Sequence, residues 1–166
     1  MLEKFIPNLK VDSIYEIDLE ALRRQGIHGI ITDLDNTLVG AREPDATPEL
    51  LQWLDKLDKH GYRVVIVSNN NLPRVERFAK PLGMPFIHAA RKPGSKAFRK
   101  ALELLKLPRD QVAVIGDQLM TDVLGGNRMG LYTILVNPVA PNDEGLGTRI
   151  NRRLEKLLRL VMKQRP

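Results

Sequence analysis

Four separated segments of the chain carry side chains whose types, taken together, could move a phosphoryl group. They are Asp33, Asp35 and Thr37; Ser68 and Asn69; Arg91 and Lys92; and Asp117 and Asp122. Carboxylates supply the hard oxygen ligands that Mg²⁺ prefers, and a hydroxyl and an ammonium can bind phosphate oxygens. The residue types therefore predict a divalent-cation site that handles a phosphate group.

If the four segments meet, each group has a chemical role. Asp33 and Asp117 would hold Mg²⁺, because without a cation their charges repel each other and an incoming phosphate dianion. One carboxylate can then attack phosphorus while Ser68 and Lys92 bind the transferring group. Asp35, two positions beyond Asp33, can protonate the leaving oxygen and then accept a proton from water.

Short apolar runs next to these segments predict the strands of a sheet. The runs are residues 29–34, 63–67, 86–89, 112–115 and 133–136. Each is four to six residues long and bounded by Gly, Pro, Asn or Asp. Runs of this kind are typical of short buried strands.

Helical patterns separate the apolar runs. Residues 47–60 repeat leucine at helical spacing after Thr47, which can cap the helix, and residues 95–107 show a second pattern. Gly125, Gly126 and Gly130 are predicted to end a further helix. Alternating strands and helices predict a three-layer α/β fold of Rossmann type with a central parallel sheet. Ligands bind such sheets at the carboxyl ends of the strands, where the polar segments fall.

The order of these segments resembles the motif order of the haloacid dehalogenase (HAD) superfamily of phosphatases. The sequence DLDNTL at residues 33–38 resembles its first motif, VIVSN at residues 65–69 its second, Lys92-Pro93 its third and GDQLMTD at residues 116–122 its fourth. The resemblance implies a HAD fold, a Mg²⁺ cofactor and hydrolysis of a phosphomonoester.

The same resemblance implies a role for each site residue. Asp33 is the nucleophile that forms an aspartyl-phosphate, Asp35 is the general acid and base, and Ser68 and Lys92 hold the phosphate. The Mg²⁺ ligands are the Asp33 carboxylate, the Asp35 main-chain carbonyl and Asp117, with Asp122 acting directly or through water. The residues assigned to substrate binding are Thr37, Asn69 and Arg91.

Each segment taken alone has a simpler explanation. Asp and Thr after a strand often form a turn or a helix cap, which would also explain Asp117 and Asp122. Lys92 could be a solvated surface lysine with Lys96 as its competitor, although the following Pro93 favours Lys92. The four segments together, in order and at strand ends, favour a catalytic site.

Length and composition limit the class of protein. The 166 residues, 43% hydrophobic and 28% charged, fit one folded domain over residues 1–166. The absence of cysteine excludes disulfides and thiolate metal sites. No apolar run reaches the roughly 20 residues of a spanning helix, and residues 1–10 lack an apolar secretory segment. We therefore expect a cytoplasmic protein.

The spacing of the motifs leaves little room for a cap domain, the inserted unit with which many HAD enzymes select substrates. Residues 35–68 can hold a loop and a helix, and residues 68–92 a helix and a strand. We therefore expect no cap domain and an open site, which suits a protein, a polynucleotide or a lipid head group. A small metabolite would need a lid supplied by a second copy of the chain.

The positive charge is concentrated at the C-terminal end. Residues 148–166 contain seven basic residues and one acidic residue, a surplus equal to the +6 of the whole chain. The remaining residues are balanced in charge, which makes a nucleic-acid partner the less favoured explanation.

A helix predicted over about residues 148–165 would place apolar side chains in one stripe and basic side chains opposite. The stripe consists of Ile150, Leu154, Leu157, Leu158 and Val161, and the basic set of Arg152, Arg153, Lys156, Arg159 and Lys163. Such a helix can lie on an anionic bilayer at the inner face of the membrane, or can pack its stripe on its own domain. Both alternatives stay open.

The short chain, the sequence SNNN at residues 68–71 and RKP at residues 91–93 resemble the YqeG-type subgroup of HAD subfamily IIIA. That subgroup is similar to mitochondrial phosphatidylglycerophosphate phosphatases, which implies phosphatidylglycerophosphate as the substrate. One alternative is a phosphatase of a protein, a nucleotide or a polynucleotide end. Another is a non-catalytic module that keeps the fold and binds RNA or the ribosome.

Overall fold

Six parallel strands form the central sheet. In this computed structural model, which describes residues 1–143 and 146–163, the strands are β1 (Leu9–Lys10), β2 (Gly29–Thr32), β3 (Arg63–Val67), β4 (Phe86–Ile87), β5 (Val112–Gly116) and β6 (Tyr132–Leu135). Their order across the sheet is β1-β6-β5-β2-β3-β4. The five predicted runs are confirmed as β2 to β6, and the two-residue edge strand β1 was not predicted.

Helices connect the strands. They are α1 (Leu19–Arg24), α2 (Pro48–Lys59), α3 (Leu72–Ala79), α4 (Ser95–Leu105), α5 (Leu124–Arg128) and α6 (Leu146–Lys163). The predicted cap of α2 is confirmed, because the Thr47 hydroxyl accepts a hydrogen bond from the Leu50 N–H at 3.1 Å. Helix α6 begins two residues before its predicted start, and residues 164–165 of that prediction lie outside the described residues. No helix in the described part of the chain has the length and hydropathy to cross a membrane.

Helices cover both faces of the sheet, which is the predicted three-layer α/β arrangement. Alternate side chains of β2 point to opposite faces, so that Ile30 packs with α1, α2 and α3 and Ile31 packs with α4. In β5, Ala113 and Ile115 belong to the first layer and Val114 to the second. The strands are therefore buried on both sides, and polar side chains can collect only where the strands end.

Gly125 and Gly126 lie inside α5, so the prediction that they end a helix was wrong for these two residues. Gly130 follows the C-cap residue Met129 with φ 74°, which agrees with the prediction. A Cβ atom on Gly125 would lie 2.5 Å from the Phe98 ring, and one on Gly126 would lie 2.4 Å from a methyl carbon of Val114. The two glycines therefore allow α5 to pack closely against α4 and β5.

Strand β2 lies between β3 and β5. After β2 the chain forms β3 and β4 on one side of it, and then β5 and β6 on the other side. A crevice forms at the carboxyl ends of the strands at such a point in a parallel sheet. Between Asp35 and Ser68 the chain forms only α2 and β3, and between Ser68 and Lys92 only α3, a short 3₁₀ turn and β4. No cap domain is inserted at either place, as predicted.

Candidate active site

The predicted residues of three segments meet at the carboxyl ends of β2, β3 and β5. Asp33, Ser68 and Asp117 each directly follow one of these strands. The parallel register aligns Thr32, the last residue of β2, with Ile66 and Ile115. The strand ends are therefore level, and their polar side chains project into one crevice.

Three buried carboxylates form the centre of the site. Oxygen atoms of Asp33, Asp117 and Asp122 all lie within 4.8 Å of one another. The buried Thr37 hydroxyl lies 3.1 Å from Asp117 Oδ1 and 3.5 Å from Asp33 Oδ2, so it lies between these two carboxylates. Thr37, whose predicted role was substrate binding, is therefore buried and hydrogen-bonded to both carboxylates in this structure.

A glycine makes room for Asp122. A Cβ atom on Gly116 would lie 2.1 Å from the Asp122 carboxyl carbon, closer than two carbon atoms can approach. The π-helical turn Leu119–Val123 brings Asp122 back over the end of β5, and the Gln118 N–H donates a hydrogen bond to Asp122 Oδ2 at 3.3 Å. The residue at 116 must therefore lack a side chain for Asp122 to reach the cluster.

Lys92 joins two of the three carboxylates. Its ammonium Nζ lies 2.6 Å from Asp122 Oδ1 and 3.1 Å from Asp33 Oδ1, and its side chain is only 2% exposed. Asn69 holds the lysine backbone, because Asn69 Oδ1 accepts from the Lys92 N–H and Asn69 Nδ2 donates to the Lys92 carbonyl. Lys96, the competing candidate, is exposed.

Burial and mutual repulsion raise the pKa of all three carboxylates. Burial raises the pKa of Asp33 to about 7; the Lys92 charge opposes this increase and the Asp117 charge adds to it. The pKa values of Asp117 and Asp122 rise to about 6, chiefly through burial. Burial alone would lower the pKa of Lys92, but the carboxylates of Asp122 and Asp33 outweigh it and raise that pKa.

The donor set fits a hard divalent cation. Three carboxylates face two cationic side chains, Lys92 and Arg152, so the fully ionised cluster keeps a negative charge that would repel a phosphate dianion. A divalent cation would reverse the sign of this charge, and carboxylate oxygens are the ligands that Mg²⁺ prefers. Burial raises the pKa values of these carboxylates, and a bound divalent cation would favour their ionised forms.

Asp35 lies apart from this cluster at the mouth of the crevice. Its carboxylate accepts a hydrogen bond from Asn70 Nδ2 at 2.8 Å and pairs with Arg74 Nε at 3.1 Å. The turn that follows Asp35 is tight, since Asn36 adopts φ 60°, a conformation that asparagine tolerates better than most residues. Asn70 and Arg74 hold the Asp35 carboxylate at a position that borders both the cleft and the solvent.

The cleft that these residues line has a volume of about 330 Å³. Its walls include five of the predicted site residues, namely Asp33, Asp35, Ser68, Asn69 and Lys92. The Ser68 hydroxyl accepts a hydrogen bond from the Asn70 N–H at 3.1 Å and keeps its own hydrogen for an oxygen in the cleft. Arg91 is exposed and is not among the lining residues.

Two arginines at the site were not predicted as site residues. Arg74 is the third residue of α3, and the only sequence signal for it is its position shortly after the SNNN segment. Arg152 of α6 donates hydrogen bonds to both the carboxylate and the main-chain carbonyl of Asp117. No local pattern distinguishes Arg152 from the other basic residues of the C-terminal segment.

Helix α6 docks on the site through its polar side. Glu155, which is buried, lies 3.5 Å from Arg152 and accepts a hydrogen bond from the Met120 N–H. Burial raises the pKa of Glu155, and Arg152 partly offsets this increase. Asn151 adds a contact of 3.4 Å to Gln118. The polar face of α6 therefore holds the loop that carries Asp117 and Asp122.

The proteins similar in sequence to this chain include phosphatases. A family model described as haloacid dehalogenase-like hydrolase matches residues 3–130. The probable phosphatase YqeG of Bacillus subtilis (strain 168) is 51% identical over 166 residues, covering 99% of this chain and 96% of that protein. The chloroplastic phosphatidylglycerophosphate phosphatase 1 of Chlamydomonas reinhardtii is 31% identical over 161 residues, covering 91% of this chain and 60% of that protein.

A solved structure supports the fold. The crystal structure of an uncharacterized protein from Listeria monocytogenes serotype 4b aligns with a TM-score of 0.56 at 14% sequence identity. The alignment covers 76% of this chain and 99% of that one. At this identity the likeness concerns the fold alone.

Proposed function

Because the chain belongs to the haloacid dehalogenase-like hydrolases and is a phosphatase of the YqeG type, we propose that it removes the terminal phosphate of phosphatidylglycerophosphate at a membrane surface, with Mg²⁺ as cofactor. The meeting of Asp33, Lys92 and Asp117 at one crevice supports the phosphatase chemistry. The outward apolar face of α6 supports the lipid substrate.

Asp33 is the proposed nucleophile. Its carboxylate attacks phosphorus as the bond to the leaving oxygen breaks, giving an aspartyl-phosphate that water then hydrolyses. Lys92, the Ser68 hydroxyl and Asn69 stabilise the charge on the phosphoryl oxygens. Asp33, Asp117 and the Asp35 carbonyl would hold Mg²⁺, with Asp122 acting directly or through water, and the bound ion would supply positive charge that neutralises the phosphate.

Asp35 is the proposed general acid and base. It lies on the cleft wall outside the buried cluster, so its proton can reach the leaving oxygen without passing between the metal ligands. After the alcohol leaves, the same carboxylate accepts a proton from the water that attacks the phosphoenzyme. Arg74 and Asn70 keep the carboxylate in place through both steps.

The apolar face of α6 supports a membrane as the place of action. Ile150, Leu154 and Leu157 lie at helical spacing and are 52%, 46% and 63% exposed. For these three residues the exposure supports the membrane alternative over packing of the stripe on its own domain. Leu158 of the same stripe is half-buried, and the Val161 and Lys163 side chains lie outside the described residues. Exposed Arg149 and Arg153 flank the stripe.

An amphipathic helix of this kind binds anionic bilayers through both its apolar and its basic side chains. The anionic cytoplasmic leaflet attracts basic segments, so we propose the inner face of the membrane as the location. A cleft without a cap domain can accept a phosphate that projects from a bilayer. The name of the Chlamydomonas reinhardtii relative supports the choice of phosphatidylglycerophosphate within the lipids.

Turnover on vesicles tests this proposal. Phosphate release is measured from phosphatidylglycerophosphate in phosphatidylglycerol vesicles, from phosphatidic acid in the same vesicles, and from a soluble phosphomonoester. The triple variant Ile150→Gln, Leu154→Gln, Leu157→Gln keeps Arg152 and should lose about tenfold or more of its vesicle activity, because each buried CH₂ group contributes roughly 0.8 kcal/mol. Its activity on the soluble substrate should stay unchanged.

The control is the double variant Leu51→Gln, Leu104→Gln, which replaces two exposed leucines of α2 and α4. This control should hydrolyse both substrates like the wild type. Equal vesicle activity of the two variants would refute the membrane role of α6. Faster hydrolysis of phosphatidic acid or of the soluble ester than of phosphatidylglycerophosphate would refute the proposed substrate.

A further inference from the structure

A second cavity lies on the other side of the loop that carries Asp117 and Asp122. Its volume is about 550 Å³, within the size range of ligand pockets. Leu119, Leu135 and Phe5 supply apolar surface to its walls. Leu119 and Leu135 belong to a small buried cluster separate from the two main core layers. We call this cavity the apolar groove.

Basic side chains border the apolar groove. Lys10 comes from the end of β1, and Lys156 and Arg159 come from α6. The described residues that line the groove include these three cations and no acidic side chain. An apolar cavity with a cationic border is complementary to a ligand that joins a hydrocarbon chain to an anionic group.

The apolar groove and the catalytic cleft share a wall. In the turn after β5, Gln118 and Thr121 line the cleft, whereas Leu119 lines the groove. Along α6, Arg152 contacts Asp117, and Lys156 follows one helical turn later. At 1.5 Å per residue, Lys156 is about 6 Å and Leu160 about 12 Å along the helix from Arg152.

We propose that the apolar groove binds an acyl chain of an anionic phospholipid and so holds the lipid substrate while its terminal phosphate lies in the cleft. Lys156 and Arg159 would bind the phosphodiester phosphate, which lies between the terminal phosphate and the acyl chains of the substrate. This assignment rests on the proposed function for the identity of the substrate. The groove differs from the outward stripe of α6, because Leu160 lines the groove and Leu157 does not.

Binding of a monomeric lipid tests the groove without catalysis. The probe is a short-chain phosphatidylglycerol with a fluorescent acyl chain, used below its critical micelle concentration. It carries the phosphodiester and the chain but no terminal phosphate, so it does not report on the catalytic cleft. We expect saturable binding to the wild type and weaker binding of the matching phosphatidylcholine probe.

Variants of residues at the groove, compared with variants of residues outside it, locate the binding site. Leu160→Gln, and Lys156→Glu combined with Arg159→Glu, should each raise the Kd by about fivefold or more, whereas Leu157→Gln and Arg99→Glu with Lys100→Glu should leave it within about twofold. Absence of saturable binding to the wild type would overturn the proposal. An equal loss of affinity in Leu157→Gln and Leu160→Gln would also overturn it.

Phosphate release by the same proteins separates this inference from the proposed function. Hydrolysis of phosphatidylglycerophosphate without probe binding would refute the groove and leave the function standing. Probe binding that Leu160→Gln weakens, without hydrolysis of phosphatidylglycerophosphate, would support the groove and refute the proposed substrate.

Discussion

At the scale of single residues, Lys92 connects the parts of the site. Its ammonium contacts Asp33 and Asp122, and its backbone is held by Asn69. Removing Lys92 would leave Asp33 and Asp122 without the buried cation that they share, which is far more costly than losing a surface ion pair. Lys92 should therefore affect both the stability of the fold and the rate of reaction.

Lys92→Met is expected to lower the free energy of unfolding by about 3–5 kcal/mol, because Asp33 and Asp122 lose their shared cation. Loss of a buried donor to the phosphoryl group should lower kcat/KM by about 10²–10³. Urea unfolding and phosphate release from a soluble phosphomonoester measure the two effects. The matched control Lys96→Met, at an exposed position, should change stability by less than about 0.5 kcal/mol. Similar effects of both substitutions would contradict this role of Lys92.

The strand-end positions of Asp33, Ser68 and Asp117 could be predicted, because apolar runs are visible in the sequence and parallel strands end at one edge. The choice between Lys92 and Lys96 depended on Pro93 alone, since burial is not visible in a single sequence. Arg152 could not be predicted, because its contact with Asp117 depends on the docking angle of a distant helix.

At the scale of elements, α6 packs through polar groups rather than through its apolar stripe. The Arg152 guanidinium compensates the charge of Asp117, and buried Glu155 accepts a hydrogen bond from the Met120 N–H. These contacts turn Ile150, Leu154 and Leu157 outward. The helix therefore connects the loop of the site with the exposed apolar face.

Arg152→Gln is expected to lower the stability of the metal-free protein by about 1–3 kcal/mol, because the buried Asp117 carboxylate loses its charged donor. Mg²⁺ should recover part of this loss, since a cation ligated by Asp117 would replace the missing positive charge. Thermal unfolding with and without Mg²⁺ measures both effects.

The control for this prediction is Arg153→Gln, the next residue along α6, whose side chain is exposed. It should leave stability nearly unchanged in either condition. If Mg²⁺ restored none of the stability lost in Arg152→Gln, an electrostatic link between α6 and the proposed metal site would be refuted.

Periodicity located α6 and its stripe, but a stripe does not say which face packs inward. Arg152 and Glu155 contact the loop after β5, which is distant in the chain, and these contacts determine which face of α6 packs inward. The edge strand β1 was missed because two residues are too few to form a pattern. In α5, Gly125 and Gly126 mark close packing against Phe98 and Val114, which only the three-dimensional structure reveals.

At the scale of the whole molecule, the fold brings three buried carboxylates to one edge of the sheet, although their burial lowers the stability of the metal-free protein. Asp33, Asp117 and Asp122 all have raised pKa values, so their ionised forms are destabilised by burial. A divalent cation bound to the folded chain alone would offset this cost and shift the folding equilibrium.

Adding Mg²⁺ should therefore raise the melting temperature. At 100 times the dissociation constant the stabilisation is about 2.7 kcal/mol, which for a chain of this size corresponds to about 5–10 °C. EDTA should reverse the shift and abolish phosphate release. Asp117→Asn, which removes one carboxylate, should show a much smaller shift. A Mg²⁺ effect of equal size in the wild type and in Asp117→Asn would place the metal elsewhere.

The most direct test of the central claim is chemical trapping of the phosphoenzyme. Asp35→Ala is incubated with Mg²⁺ and an activated aryl phosphate, whose leaving group needs no protonation, so the aspartyl-phosphate forms but is hydrolysed slowly. Borohydride reduces such an acyl phosphate to homoserine, and mass spectrometry of peptides identifies its position. We expect homoserine at position 33. Homoserine at position 117 or 122, or at no position while phosphate is still released, would contradict Asp33 as the nucleophile.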